Sequence, residues 1–279
     1  MGPSAVRLKE FARTGRKVPE IGMGTYYDPL WIAAAFLGWR RGAATKIGAI
    51  RSGLDSGITL LDTAEIYRSE PLVADAIKGR KRDELFLATK AWPNHLRREA
   101  LAKAFNKSLN RLGTTYIDLY QVHWPNPMVP IRETMAAMEQ LVGEGKLMHV
   151  GVSNFNLKQL QEAQSALTKS ELSSVQLDYS LLHRNVERDV LPYCDREKIA
   201  LLAYYPLAHG KLPSDQRLDQ LSSAHGKTRA QVALRWLAGK PNVFPIPRAS
   251  RPEHVAENAG ASDWELSDGE SGELEQKYR

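Results

Sequence analysis

Four side chains of this 279-residue sequence stand at the ends of three short apolar runs. Asp62 and Tyr67 follow residues 59–61, Lys90 follows residues 85–89, and His123 follows residues 116–122. Tyrosine ionises near pH ~10 and is a poor proton donor unless a nearby cation lowers that value. Lys90 is placed to be that cation. A lysine beneath an apolar surface needs a counter-charge, and Asp62 on the neighbouring run supplies one. His123 adds an imidazole that can orient and polarise a carbonyl oxygen while Tyr67 delivers a proton. The set suits carbonyl reduction, with hydride from a nicotinamide cofactor because none of the four can provide it.

The four meet if the runs lie side by side, with their C-terminal ends at one edge of a parallel sheet. Further strand patterns fall at 20–25, 148–152, 174–177, 200–203 and 243–246, for eight in all. Helical patterns at 45–56, 71–77, 98–112, 131–142, 157–166 and 229–236 separate them. In the fourth, Ile131, Met135, Met138 and Val142 recur about one turn apart and make a single apolar face. Eight βα units without a composition break predict an α/β fold, a (β/α)8 TIM barrel forming one domain over residues 1–279, with an N-terminal hairpin about Gly15. The glycine fingerprint of a dinucleotide-binding doubly wound sheet is absent.

Composition narrows the classes. A net charge of +6 is spread over helical stretches and offset by 32 acidic residues, with no nucleic-acid motif, so a soluble surface without nucleic-acid binding is expected. A modest positive field favours a phosphorylated cofactor. Cys194 is the single cysteine, which points to a reducing cytoplasm and away from a cysteine metal site. The N-terminus has no apolar signal core, and the longest apolar run, 30–39, is too short to span a bilayer.

Five motifs then carry a resemblance to the aldo-keto reductases: LLDTAEIY at 60–67, ATK at 88–90, YQVHWP at 120–125, GVSNF at 151–155 and IPRAS at 246–250. They occur in that family's order and spacing across nearly the whole chain. The resemblance implies a barrel whose catalytic tetrad is Asp62, Tyr67, Lys90 and His123, with Tyr67 the general acid. It also implies an extended nicotinamide dinucleotide across the barrel mouth.

Carried over residue by residue, Ser153, Asn154 and Gln176 match the carboxamide ligands and Tyr204 the aromatic stacked on the nicotinamide ring. Pro206, Leu207 and Lys211 fall in the loop over the pyrophosphate, where Tyr205 replaces a usual serine. Arg248, Ser250, His254, Glu257 and Asn258 match the adenosine end. Arg248 keeps a cation where the 2′-phosphate lies, while His254 replaces an arginine, so NADP is expected with NAD also usable. Tyr26, Trp92 and Trp124 are expected to line the pocket. The chain resembles short, prokaryotic-type members, without the long C-terminal loop of many mammalian relatives, and an open pocket of broad specificity for small aldehydes, ketones or alcohols follows. The stretch 30–39 reads equally as a lid or wall and as an oligomer contact.

Each residue also has a structural reading. Asp62 could cap a helix, Tyr67 and Trp124 could be packing aromatics, and His123 a satisfied core histidine. Ser153, Asn154 and Gln176 could serve turns and strand ends. Two rival functions stay open: a cofactor-binding redox sensor or partner subunit with little turnover, and an unrelated barrel using His123 and Asp62 for a metal or phosphate. The lack of a second histidine or carboxylate at ligand spacing speaks against a metal.

Overall fold

A computed structural model describes residues 6–279. The chain opens with an antiparallel hairpin, β1 (Leu8–Glu10) and β2 (Lys17–Pro19). Eight parallel strands follow: β3 (Met23–Gly24), β4 (Leu60–Asp62), β5 (Phe86–Ala91), β6 (Ile117–Val122), β7 (Leu147–Ser153), β8 (Leu172–Asp178), β9 (Ala200–Tyr204) and β10 (Val243–Pro245). They pair in chain order from β3 to β10. The sheet closes on itself where Gly22 N–H donates to Pro245 C=O at 2.9 Å and Gly24 N–H to Pro247 C=O at 3.1 Å, with a parallel bridge between Gly24 and Arg248. This is the expected (β/α)8 barrel. The first strand is shorter than the pattern at 20–25, because Glu20 turns away to meet Arg7, Arg235 and Ser262.

Around the barrel lie α1 (Pro29–Phe36), α2 (Ala43–Asp55), α3 (Glu70–Ile77), α4 (Arg98–Leu112), α5 (Ile131–Gly143), α6 (Leu157–Ala166), α7 (Val190–Glu197), α8 (Asp219–His225), α9 (Arg229–Ala238), α10 (Pro252–Ala259) and α11 (Asp268–Lys277). Three of these helices begin with complete capping boxes, Asn156 with Gln159 on α6, Thr228 with Gln231 on α9 and Ser267 with Glu270 on α11, which satisfy otherwise orphaned N–H groups. Among the described residues no helix is long and apolar enough to cross a membrane.

Strand alternation separates two cores. Leu61, Leu87, Ala91, Tyr120 and Val122 face the helices, whereas Leu60, Phe86, Ala88 and Leu119 fill the barrel interior. The hairpin plugs the bottom: Phe11 is fully buried against Phe86 and Phe244, with ring centroids 4.8 and 5.2 Å away. Lys9 Nζ ties it down by donating to the carbonyls of Ala238, Lys240 and Val243. Midway up the interior, Gly151 leaves room for Gln121 and Ser174; a Cβ there would meet Ser174 Oγ and lie 2.8 Å from Gln121 Cγ.

Candidate active site

The same alternation that sends Leu60, Phe86 and Ala88 inward also sends Asp62 and Lys90 inward at the top of the barrel. Lys90 does not end its strand, as the sequence suggested; β5 runs one residue further, to Ala91. His123 follows β6 directly and extends the ladder, its N–H donating to Ala91 C=O at 3.0 Å. Tyr67 comes from a short 3-10 turn, Glu65–Tyr67, after β4. Asp62 is not a helix cap.

Lys90 is fully buried and its Nζ donates to Asp62 Oδ2 at 2.6 Å and to Thr63 C=O at 2.8 Å. The other Asp62 oxygen, Oδ1, accepts from Gln176 Nε2 at 2.9 Å. Lys90 Nζ also stands 4.9 Å from the Tyr67 ring centroid. Tyr67 Oη and His123 Nε2 are 3.2 Å apart. The structure brings all four residues together.

Their electrostatics differ from the sequence expectation in one respect. Burial first, and then Asp62 and the neighbouring tyrosines, push the Tyr67 hydroxyl well above its ordinary value. Lys90 does not lower it because its charge is already matched by Asp62 at 2.6 Å. Burial also depresses the Lys90 ammonium, against the opposing pull of Asp62. His123 is lowered to about 3 by burial and by Lys90, so the imidazole is neutral near pH 7. Its Nδ1 is buried without a hydrogen-bond partner. An orphaned acceptor costs less than an orphaned N–H, which favours the tautomer protonated on Nε2. That N–H points to the Tyr67 oxygen and leaves the tyrosine proton free for the cleft.

A cleft of about 820 Å³ opens over these groups. Asp62, Tyr67, His123, Ser153, Asn154, Gln176, Tyr204, Pro206, Leu207 and Arg248 line it, as do Tyr26, Trp92 and Trp124. Ser153 Oγ donates to Gln176 C=O at 3.0 Å, and Asn154 Nδ2 to His123 C=O at 2.9 Å. The Tyr204 hydroxyl donates to Asn154 Oδ1 at 2.8 Å, which fixes the ring at the cleft wall. Lys211, Ser250, His254, Glu257 and Asn258 stand outside that lining. Lys211 and His254 are exposed, Asn258 is buried, and His254 Nδ1 is 3.6 Å from Glu257 Oε2.

Several contacts along and behind the wall were not foreseen from the sequence. Glu65 accepts from the Trp92 N–H and from His95 Nδ1, and Trp92 packs edge-on to His123 with centroids 5.4 Å apart. Its place within LLDTAEIY was the available signal. Tyr205, in a left-handed conformation at φ +49°, has its ring 3.8 Å from that of His209 and 6.5 Å from that of Tyr26. The apolar stretch 30–39 forms α1 and the turn after it. Pro29 and Ile32 of α1 join the wall, Trp31 is buried 5.2 Å from the Tyr27 ring, and Leu30, Leu37 and Trp39 remain exposed. Among the described residues no cluster of three or more histidine, cysteine or acidic groups could hold a metal.

Comparison with known proteins follows the same lines. Residues 21–279 match the model of the Aldo/keto reductase family. The chain is 34% identical to the methylglyoxal reductase YeaE of Escherichia coli K12, over 94% of this chain and 91% of that protein. It is 35% identical to the glyoxal reductase of Bacillus subtilis, over 78% of each. Among solved structures, an aldo/keto reductase of Klebsiella pneumoniae in complex with NADP and acetate superposes with a TM-score of 0.88 at 35% identity, covering 98% of this chain and 96% of that one.

Proposed function

This chain belongs to the aldo/keto reductase family, and on that premise we propose that it reduces aldehydes and ketones to alcohols, reversibly, with NADPH as hydride donor and Tyr67 as proton donor. It acts as one barrel domain. The observation that carries the reading is the 3.2 Å contact between Tyr67 Oη and His123 Nε2, directly above the buried Lys90–Asp62 pair and open to the cleft.

The donor set suits a dinucleotide. The hydroxyl of Ser153 and the amides of Asn154 and Gln176 stand beside the four central residues and are the carboxamide ligands. Tyr204 supplies an aromatic wall, Pro206 and Leu207 continue it, and Arg248 puts a cation at the far end of the same cleft. Lys211, Ser250, His254, Glu257 and Asn258 complete the phosphate and adenosine end. When bound there, the nicotinamide supplies hydride to the carbonyl carbon. Arg248 favours the 2′-phosphate of NADP, and NAD binds more weakly.

The chain's own residues manage the oxygen. When a carbonyl substrate enters, neutral His123 turns its single Nε2–H from the tyrosine oxygen to the carbonyl oxygen and holds it near the tyrosine hydroxyl. Tyr67 then gives its proton to that oxygen as negative charge develops. A raised tyrosine value is no obstacle, because an alkoxide is a far stronger base than a phenolate. Lys90, neutralised by Asp62, anchors the floor beneath the ring. Tyr26, Trp92 and Trp124 surround the substrate with aromatic surface. Two relatives are named for methylglyoxal and glyoxal, so small reactive aldehydes are the first substrates to try.

The test measures NADPH and NADH consumption separately with methylglyoxal, for the wild type and Tyr67→Phe. Turnover lost in the variant with cofactor binding intact supports the reading. Retained turnover in Tyr67→Phe, or none from the wild type on a panel of aldehydes with either cofactor, overturns it.

A further inference from the structure

His254 was expected to share the grip on phosphate with Arg248, but it is exposed and its Nδ1 is 3.6 Å from the carboxylate of Glu257. A different cation stands against Tyr27, which lines the cleft together with Arg248. Closure of the barrel pairs Gly24 with Arg248, and Tyr27, three residues after Gly24, comes to line the cleft with it. Lys46 of α2 reaches back over this corner, its Nζ 4.9 Å from the Tyr27 ring centroid and 5.4 Å from that of Trp31.

Three features of the corner lack a counterpart. Among the described residues neither Lys46 nor Arg248 makes an ion pair within 4.0 Å. The Tyr27 hydroxyl has no hydrogen-bond partner although the residue is only 2% exposed. Burial lowers the Lys46 ammonium, Asp28 opposes that more strongly than Arg248 adds to it, and Arg248 also acts on the Tyr27 hydroxyl. The neighbouring carboxylate, Asp28, has Oδ1 committed to capping α1 through the Trp31 N–H at 2.7 Å. Arg248 is exposed and Lys46 half-buried, so both cations are free to meet an anion, while the buried Tyr27 hydroxyl is the group that lacks a partner.

We propose that Lys46, Arg248 and the Tyr27 hydroxyl form an anion site for a phosphate group of the dinucleotide, with Lys46 taking the part expected of His254. The site rests on the cofactor reading above and deepens it. Lys46 and Arg248 supply charge-assisted hydrogen bonds from opposite sides of the barrel seam, and Tyr27 donates its hydroxyl proton from the wall between them. The aromatic faces of Tyr27 and Trp31 hold the ammonium in place by cation–π attraction before any ligand arrives.

Binding of NADPH, NADH and inorganic pyrophosphate to the full chain, followed by titration calorimetry, tests it. Loss of one charge-assisted contact weakens binding on the order of tenfold or more, so Lys46→Met should raise the Kd for NADPH by that factor. Tyr27→Phe should act in the same direction by less, and Lys46→Arg should restore most of the affinity. Equal weakening with NADPH and NADH puts the pyrophosphate in the site; weakening with NADPH alone puts the 2′-phosphate there. A wild type that binds neither dinucleotide sinks the cofactor reading, and pyrophosphate then tests the anion site by itself. Lys46→Met and Tyr27→Phe that bind all three probes like the wild type, with or without a lowered Tm, overturn the proposal.

Discussion

Tyr67 Oη and His123 Nε2 lie 3.2 Å apart, and the second imidazole nitrogen, Nδ1, is buried with no partner. In the tautomer protonated on Nε2 the pair is polarised in one direction. The imidazole gives its proton toward the tyrosine oxygen, and the tyrosine is left to give its own toward the cleft.

Replacing either member should separate chemistry from binding. A positioned proton donor contributes roughly 10²- to 10⁴-fold to rate, and Tyr67→Phe should lose kcat in about that range while Kd for NADPH stays within about twofold. His123→Gln should retain a polar contact and lose less. Stopped-flow hydride transfer and fluorescence titration on both variants read the two effects. A large rise in Kd with kcat spared would contradict the assignment.

The Lys90–Asp62 pair should govern stability as well as activity. With Lys90 fully buried, truncation of one partner leaves an uncompensated charge, which typically costs about 3–5 kcal/mol. Lys90→Met should lower stability to urea by that order. The double change Lys90→Met with Asp62→Leu should recover a good part of it, since neither charge then needs a partner. Recovery of stability without recovery of turnover is the expected outcome, and additive losses in the double variant would count against the pair.

Acid should destabilise the fold through its buried imidazoles. Burial holds His123 at about 3 and His149 at about 4, below the ordinary histidine value of ~6.5. Between those values the unfolded chain binds more protons than the folded one, so stability falls as pH drops from about 6.5 toward 3. His149→Phe should flatten part of that slope. Histidine NMR titration that finds both groups charged in the folded protein at pH 5.5 would refute it.

Gly151 offers a test of the barrel interior. A Cβ there collides with Ser174 and Gln121, the layer just beneath the site. Overpacking a filled core costs about 1–3 kcal/mol. Gly151→Ala should lower the thermal midpoint, and adding Ser174→Gly should relieve much of the loss.

The sequence by itself determined the plan of the molecule. Short apolar runs in alternation with amphipathic helices specify parallel strands connected by helices, and period-two alternation aims Asp62 and Lys90 into the same interior as Leu60 and Phe86. The convergence of Asp62, Tyr67, Lys90 and His123 was legible for that reason. Their electrostatics were not. The cation expected to lower Tyr67 is spent on Asp62, and whether burial or the ion pair wins depends on distances that no run of letters contains. Glu65 anchoring Trp92, and Tyr205 folding onto His209, depend on loop conformations set by packing. Closure decided the rest. Gly24 and Arg248 are far apart along the chain and become neighbours because eight strands twist far enough for the last to meet the first, and that seam is what lets Tyr27, with Lys46 over its ring, line one cleft with Arg248.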